Sequence, residues 1–287
     1  MTTAGFDGQQ AESGVARFLE KEAHLRARLS SLGSAVVAFS GGTDSAYLAY
    51  AASSMLGDRS LCVTADSASY PSRHRKIATD FAARFNLRHE FIVTAEIDDP
   101  DYRANAPDRC YHCKHELFTH LTTLARERGF AAVLDGANAD DRGDYRPGRQ
   151  AARDMGVASP LDEADLTKDE IRELSRRAGL PTWNQPASAC LSSRIPYYSE
   201  VTPEKLRTIE RAEEVLRSLG FRIYRVRHHD NLARVELGSD EMMRALDPAV
   251  REALVRDIKA AGYQYVALDL QGYRMGSLNE GIVLKSV

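Results

Sequence analysis

The sequence has no apolar run of the length that crosses a membrane, and its first ten residues lack the hydrophobic segment of a signal peptide. It also lacks a large excess of one charge. The formal net charge is −3, which argues against bulk affinity for nucleic acid, although residues 222–229 form a local basic patch. We therefore expect a cytoplasmic protein whose partners are neither membranes nor nucleic acids.

Cysteine is scarce, with four residues in a chain of 287. Without an export signal these thiols are expected to stay reduced, so metal binding or catalysis explains them better than disulfide bonds. Hydrophobic residues make up 43% of the chain and charged residues 28%, which is typical of a globular protein.

The length predicts one large or two modest domains. Residues 1–14 are mostly small and polar, which predicts a loose tail. We expect a first domain at residues 15–196, a linker at residues 196–203 because of its prolines, and a small α+β domain at residues 203–287.

Strand-like apolar runs alternate with helical patterns in the first half of the chain. Helical spacing is found at residues 15–32, 46–55, 72–85 and 115–128, and the apolar runs are Ala35–Phe39, Ser60–Thr64, Glu90–Val93 and Ala131–Leu134. This alternation predicts an α/β fold, a parallel sheet with helices on both faces. Ligands of such sheets bind outside the carboxyl ends of the strands.

A glycine pair follows the first apolar run, in the stretch Ser40-Gly-Gly-Thr-Asp-Ser45. Gly41 and Gly42 let backbone N–H groups converge on an anion at the positive end of the next helix. Ser40 and Ser45 add hydroxyl donors, and Asp44 is suited to hold Mg²⁺ against phosphates.

This loop lacks the lysine of the GxxxxGK[ST] phosphate loop. One interpretation is therefore a tight turn in which Ser40 and Asp44 only cap a helix. The other is the pyrophosphate loop of ATP pyrophosphatases, which the six residues resemble. Two further segments at strand ends, Val63–Asp66 and Asp135–Asp141, favour nucleotide binding. The resemblance implies that Thr64, Ala65 and Asp66 hold adenosine.

Three of the cysteines stand in polar surroundings. Cys110 and Cys113 form a CxxC pair between two cations, and Cys190 lies among small residues four positions before Arg194. The pair alone is compatible with zinc, a redox disulfide or a structural role. Three cysteines together would also hold a [4Fe–4S] cluster with one iron left open for another ligand. Cys62 lies in an apolar run and is interpreted as a small buried hydrophobe.

Longer segments resemble one family. These segments are SGGTDS, DGANADDRGDYRPGR, SPLDEADLTKDEIR, GLPTWNQPASACLSSRIPY and YRVRHHDNLARVEL. In this order they resemble the LarE family of ATP-dependent sulfur transferases, which belongs to the PP-loop ATP pyrophosphatases (adenine nucleotide alpha hydrolase fold). The PASACLSSR block distinguishes it from the NAD and GMP synthetases.

The resemblance implies a reaction. Family members convert the carboxylates of a pyridinium-3,5-dicarboxylate mononucleotide to thiocarboxylates, in the biosynthesis of a nickel-pincer nucleotide. The resemblance also implies that ATP and Mg²⁺ are cofactors. In one kind of member, the block cysteine, here Cys190, gives up its own sulfur. In the other kind, that cysteine and a CxxC pair hold a [4Fe–4S] cluster that is fed by a sulfide source.

Because Cys110, Cys113 and Cys190 are all present, this sequence resembles the cluster-bearing kind. Arg194, Arg225 and Arg227 are candidate clamps for the substrate phosphate, since the guanidinium fork matches phosphate oxygens. For Arg225 and Arg227 the alternative is that both lie on one face of a strand and are only solvated. His228 and His229 are expected at the surface or beside the site rather than as bases.

We also expect a homo-oligomer. Two rival functions are a tRNA thiolase, which this acidic chain without a clear RNA-binding surface does not favour, and a non-catalytic ATP-binding or iron–sulfur sensor.

Overall fold

A computed structural model describes residues 6–143, 147–186, 189–274 and 276–277. The chain divides into two compact units. The first consists of Met1–Ser67, Ser72–Thr94 and Cys110–Ala187, and the second of Ala68–Pro71, Ala95–Arg109 and Ser188–Val287.

The boundary between the units does not fall at the predicted linker, residues 196–203. Residues 189–199 belong to the same unit as residues 95–109. Tyr102 and Ser192 share a hydrogen bond through their hydroxyls, and the Asn105 amide donates to the backbone carbonyl of Pro196 at 2.8 Å. Bonds between residues about ninety positions apart leave no periodic signal in the sequence.

In the first unit the strands are β1 (Ala35–Ala38), β2 (Ser60–Asp66), β3 (His89–Val93) and β4 (Ala132–Leu134). They form one parallel sheet in the order β3-β2-β1-β4. The chain therefore extends the sheet from β1 to β3 on one side and returns to β4 on the other. A crevice is expected where the order reverses, outside the carboxyl ends of β1 and β4.

Helices cover both faces of this sheet. In chain order the helices of the two units are α1 (Phe6–Leu32), α2 (Thr43–Leu56), α3 (Ser72–Arg84), α4 (Pro100–Arg103), α5 (Arg109–Arg128), α6 (Pro147–Asp154), α7 (Pro160–Glu163), α8 (Lys168–Arg177), α9 (Pro203–Ser218), α10 (Met242–Ala245) and α11 (Pro248–Ala260). Val37 of β1 packs with α1, α2, α3 and α8, whereas Val36 packs with α5 and α6. This alternation of side chains follows from the two-residue period of a strand. The α/β prediction is confirmed.

The predicted tail at residues 1–14 overlaps α1, which begins at Phe6. Gln, Ala and Glu are good helix formers, and residues 9–12 consist of them. The polarity of residues 1–14 predicts a tail, whereas the helix propensity of residues 9–12 favours the longer helix α1 that the structure shows. Helix α5 likewise begins six residues before the predicted start at residue 115, so the CxxC pair is helical.

The second unit contains a small sheet of β5 (Tyr224–His229), β6 (Leu232–Leu237) and β7 (Tyr265–Leu268). Strand β6 pairs antiparallel with β5 and parallel with β7. Ala212 and Leu216 of α9 and Ile258 of α11 pack with this sheet in one hydrophobic core. Residues 203–268 thus contain both helices and strands, as expected of a small α+β domain. No helix among the described residues is long and apolar enough to cross a membrane.

Candidate active site

The glycine loop connects the carboxyl end of β1 to α2. Gly41 has a φ of +75°, a conformation that L side chains rarely adopt. The Ser40 and Ser45 hydroxyl oxygens lie 3.0 Å apart, and Ser45 Oγ donates to the Gly42 carbonyl at 3.1 Å. These bonds close the loop into a ring at the amino end of α2, where first-turn N–H groups have no intrahelical acceptor. The arrangement suits an anion.

The capping interpretation of this loop does not fit the structure. The N-cap of α2 is Gly42, which has no side chain, and no side-chain hydrogen bond from the described residues caps this helix end. Ser40 instead bonds within the loop, and its backbone N–H donates to Ser45 Oγ at 3.2 Å. The two serine hydroxyls therefore shape the loop.

Asp44 lies in the first turn of α2 and is largely buried. Burial raises the pKa of its carboxyl, and nearby Lys168 works in the opposite direction. Lys168 Nζ is 3.7 Å from Asp44 Oδ2, while Oδ1 is buried and has no hydrogen-bond partner among the described residues. A buried carboxylate oxygen without a donor is costly unless a cation approaches it. The donor set therefore fits Mg²⁺, a hard cation that binds carboxylate oxygens.

The loop after β4 lies against the glycine loop. A Cβ added at Gly136 would be 3.1 Å from the Ser45 backbone nitrogen, so only glycine allows this approach without a shift. Asp135 is buried, accepts a hydrogen bond from Ser159 Oγ at 2.6 Å, and thereby fixes the start of the loop. The structure thus brings together the two strand-end segments that meet at the predicted crevice.

The predicted adenosine residues end β2, next to β1 in the sheet. The Thr64 hydroxyl is buried and donates to the Phe39 carbonyl at 2.6 Å, so it holds the two strand ends together. Ala65 is half-buried, and Asp66 forms an ion pair with Arg75. Of the three residues, only Ala65 and Asp66 present surface that a base or ribose can reach.

The four cysteines are reduced thiols in three different settings. Cys62 of β2 is buried, and burial raises its pKa to about 12, which makes it an inert apolar residue as the sequence predicts. Cys110 and Cys113 lie near the start of α5 and are exposed and half-buried respectively. Residues three apart share one helix face, so both thiols point to the same side.

Cys190 belongs to the second unit and is half-buried. It is the N-cap of a short 3₁₀ turn at Leu191–Arg194. Its carbonyl accepts hydrogen bonds from Ser193 Oγ at 2.7 Å and from Arg194 Nη1 at 2.9 Å. The backbone of the cysteine is thereby held from two directions, while its thiol remains partly accessible.

Arg194 is 2% exposed and forms a two-point ion pair with Glu213 of α9, at 2.9 and 3.0 Å. Burial opposes its charge, but the Glu213 carboxylate and the nearby Cys190 thiol raise the pKa of Arg194 overall. A buried guanidinium with this partner is a fixed positive charge beside Cys190.

Arg225 and Arg227 of β5 are 9% and 6% exposed, so the interpretation of a solvated strand face is wrong. Arg227 bonds to Glu236 of β6 at 2.8 Å and to the Ser193 carbonyl at 3.0 Å. Arg225 lies over the Tyr273 ring, and burial together with Arg194 lowers its pKa. The structure therefore places the three predicted arginines, all buried, in the same region of the second unit as the half-buried Cys190.

Of the two histidines that were expected at the surface or beside the site, His229 is half-buried and His228 does not lie at the surface. His228 is buried and shares a hydrogen bond of 2.9 Å with Tyr263. Burial lowers the pKa of both His228 and His229, which favours their neutral forms. The alternation of residues along a strand does not show this burial. It depends on helix α9, which packs on β5 and is distant from it in sequence.

The ion pair between Arg194 and Glu213 gives a first prediction. We expect Glu213→Gln to destabilise the protein by about 3 kcal/mol, because it leaves a buried guanidinium without its carboxylate. Glu214→Gln is the matched control, since Glu214 pairs with Arg217 at the surface of the same helix. Its expected effect is about 0.5 kcal/mol or less. Urea unfolding measures both changes, and equal effects would contradict this description of the pair.

Comparison with known proteins identifies the family of the chain. No model of a known protein family matches the chain. An uncharacterized protein of Synechocystis sp. is 43% identical over 89% of this chain and 96% of its own. The pyridinium-3,5-bisthiocarboxylic acid mononucleotide synthase of Lactiplantibacillus plantarum is 36% identical over 93% of this chain and 96% of its own. The chain belongs to this synthase family.

A more distant relative supports the nucleotide-binding fold. One of the subunits of the glutamine-hydrolyzing GMP synthase of Thermoplasma volcanium is 28% identical over 66% of this chain and 65% of its own. The comparisons thus confirm three predictions: the resemblance to the LarE family, the PP-loop fold and the activity class of an ATP-dependent sulfur transferase.

Sequence reasoning missed several charged residues of these sites. Lys168 and Arg172 near Asp44, and Glu213 and Glu236 near the arginines, were not identified. The TKDEIR segment that contains Lys168 and Arg172 was part of the resemblance, and the four-residue spacing of this cationic pair was the available signal.

Proposed function

We propose that the protein inserts sulfur into the carboxylates of a pyridinium-3,5-dicarboxylate mononucleotide, at the expense of ATP. The observation that carries the proposal is the closed glycine loop with the buried Asp44 oxygen, which has no hydrogen-bond partner in the part of the chain that the structure describes. The chain is also similar to the Lactiplantibacillus plantarum synthase along almost its full length.

Activation of the carboxylate is the first step. A carboxylate is a poor acyl donor because its oxygen is a poor leaving group. Its oxygen attacks the α-phosphorus of ATP, the bond to the β-phosphate bridging oxygen breaks, and pyrophosphate leaves. The loop at Ser40–Ser45 would hold the pyrophosphate through N–H groups and hydroxyls, and Asp44 would hold Mg²⁺, which supplies positive charge against the phosphates. The product is an acyl adenylate with AMP as a good leaving group.

Sulfur transfer is the second step, and Cys190 is the residue we assign to it. In the sacrificial form its thiolate attacks the acyl carbon and expels AMP. Loss of the Cys190 α-proton then breaks its Cβ–S bond, which leaves dehydroalanine and the thiocarboxylate. Arg194 donates a hydrogen bond to the Cys190 carbonyl at 2.9 Å and thereby positions the backbone that carries this thiol.

A second sulfur source agrees better with the cysteine content. Cys110, Cys113 and Cys190 are reduced thiols of accessible or half-buried side chains, which is the donor chemistry that iron–sulfur clusters require. A [4Fe–4S] cluster on these residues would supply sulfide at an iron without a protein ligand and leave the thiols intact. We propose this source, with the sacrificial transfer as its alternative.

The buried arginines are proposed to hold the substrate phosphate. Arg225 is the best candidate, because burial and the neighbouring Arg194 lower its pKa, and an added anion would relieve that repulsion. Arg194 and Arg227 already bond to carboxylates and are more suited to position Arg225 and Cys190.

The experiment is to measure AMP and pyrophosphate with purified protein, MgATP and the pyridinium dicarboxylate mononucleotide. We expect both products only when the mononucleotide is present. Formation that depends on tRNA would favour a thiolase, absence of any turnover would favour a sensor, and release of ADP would contradict adenylation.

The cluster gives a further prediction. Protein prepared without oxygen should be brown, contain iron and acid-labile sulfide, and form more than one thiocarboxylate per chain when sulfide is supplied. Cys110→Ser and Cys113→Ser should each remove the colour and the multiple turnovers, whereas Cys62→Ser should keep both. A colourless protein whose Cys190 loses the mass of H₂S after one turnover would show sacrificial transfer instead.

A further inference from the structure

Residues 190–194, which we call the Cys190 turn, are held by side chains that are distant in sequence. These side chains come from residues 95–109, which belong to the same unit as the turn. Four polar residues of this region are no more than 5% exposed: Tyr102, Asn105, Arg109 and Ser192. Burial of polar groups is costly unless they are hydrogen-bonded, so the bonds among these residues fix where each of them lies.

Arg109 holds the backbone of the turn. It is the first residue of α5, and its Nη1 donates to the Ser192 carbonyl at 2.9 Å. The same nitrogen donates to Asn105 Oδ1, which orients the guanidinium. Hydrogen bonds from a charged donor are stronger than those between neutral groups. Arg109 therefore fixes a carbonyl that lies two residues beyond Cys190.

Asn105 and Tyr102 complete the network. The Asn105 amide donates to the carbonyls of Pro196 and Ser199 at 2.8 and 3.0 Å, so Asn105 is itself fixed by the chain that follows the turn. Its φ is +55°, a conformation in which asparagine is enriched. The Tyr102 hydroxyl lies 2.5 Å from Ser192 Oγ. Ser192 is thus held at both its carbonyl and its hydroxyl.

The turn is anchored at three successive residues. The Cys190 carbonyl accepts from Arg194, the Leu191 N–H donates to the Ser69 carbonyl at 2.9 Å, and Ser192 follows. The Cys190 thiol is half-buried on this rigid backbone. A thiol acts as a nucleophile or as an iron ligand only from a narrow range of positions, so the anchoring bears directly on sulfur transfer.

We propose that Arg109 is a positioning residue for sulfur transfer, because it holds the Cys190 turn so that the thiol keeps one position. Asn105 orients Arg109, and Tyr102 holds the hydroxyl of Ser192. The inference rests on the proposed role of Cys190 and adds to it three residues that lie between positions 102 and 109. The proposed adenylation uses the glycine loop, so loss of these bonds affects the second step of the reaction and leaves the first step intact.

The test separates the two steps in the full chain. Arg109→Gln should lower the kcat of thiocarboxylate formation by about tenfold or more, because a misplacement of about 1 Å has an effect of that order or larger. The rate of the first mononucleotide-dependent release of pyrophosphate should not change. Arg103→Gln is the matched control, since Arg103 is an exposed arginine of the same region that pairs with Glu200. It should leave both rates unchanged.

Alkylation of Cys190 by iodoacetamide reports the state of the turn without catalysis. The full chain is treated with a chelator so that its thiols are free. Arg109→Gln should raise the alkylation rate of Cys190 by about fivefold, because loss of a hydrogen bond loosens the turn and exposes the thiol. Cys62 is buried and should stay unreactive in the folded variant. Mass spectrometry of the labelled peptides therefore distinguishes a loosened turn from an unfolded chain.

Tyr102→Phe is a second variant, which keeps the ring and removes only the hydroxyl. It tests the same turn if Arg109→Gln does not fold, and it should change thiocarboxylate formation and Cys190 alkylation in the same directions. An unchanged rate of either process in the folded variants would overturn the inference, as would an equal loss of pyrophosphate release. If the unaltered protein releases no pyrophosphate with the mononucleotide, the proposed function fails, and alkylation still tests the hold on the turn.

Discussion

Cys190→Ala is expected to leave the mononucleotide-dependent release of pyrophosphate intact and to abolish thiocarboxylate formation. The first result follows because the proposed adenylation uses the glycine loop and Asp44, and the Cys190 thiol takes no part in that step. The second follows because both sulfur sources need its thiolate, as the donor atom or as an iron ligand. The acyl adenylate then accumulates or hydrolyses, and mass spectrometry of the nucleotide fraction detects the missing product.

Cys62→Ala is the matched control for this prediction. It removes a cysteine whose pKa is raised to about 12 by burial in β2, so it affects packing alone and should retain product formation. Normal thiocarboxylate yield from Cys190→Ala would remove Cys190 from the mechanism. Loss of pyrophosphate release in that variant would contradict the separation of the two steps.

Asp44→Asn has the second largest expected effect. We expect substrate-dependent AMP formation to fall by about a thousandfold or more, since the amide is a weaker ligand for Mg²⁺ and a metal contributes several kcal/mol to charge stabilisation. Coupled assays for AMP and pyrophosphate measure the loss. Asp80→Asn, at an exposed carboxylate of α3, is the control and should have normal activity.

Stability distinguishes this loss of activity from unfolding. Burial raises the pKa of Asp44 in the folded protein, so its ionised form opposes folding at neutral pH. The neutral asparagine removes that cost, and the variant should be as stable as the unaltered protein or more stable. A variant that is inactive because it unfolds would contradict the assignment of Asp44 to the metal.

The sheet and the phosphate loop could be predicted from the sequence because their signals are local. The apolar runs that became β1, β2 and β4 are continuous because parallel strands are covered on both faces, whereas β3 is only partly buried. The glycine pair after Phe39 marks the turn into α2, and Gly41 does adopt a positive φ. The order of the strands then places the loops after β1 and β4 side by side.

The charged partners could not be predicted in the same way, because they depend on long-range packing. Nothing local pairs Arg194 with Glu213, nineteen positions away in α9, or Lys168 with Asp44 in α2. The burial of Arg225 and Arg227 was missed because alternation reports which residues share a face, and does not report what covers that face. The same limit applies to His228 and its bond to Tyr263.

The most direct test of the account is one assay of the purified protein without oxygen, with MgATP, sulfide and the pyridinium dicarboxylate mononucleotide. Mass spectrometry should show the mononucleotide gaining the mass difference between sulfur and oxygen at a carboxylate, with one AMP and one pyrophosphate released for each exchange. An unchanged mononucleotide in the presence of hydrolysed ATP, or conversion without AMP formation, would contradict the account.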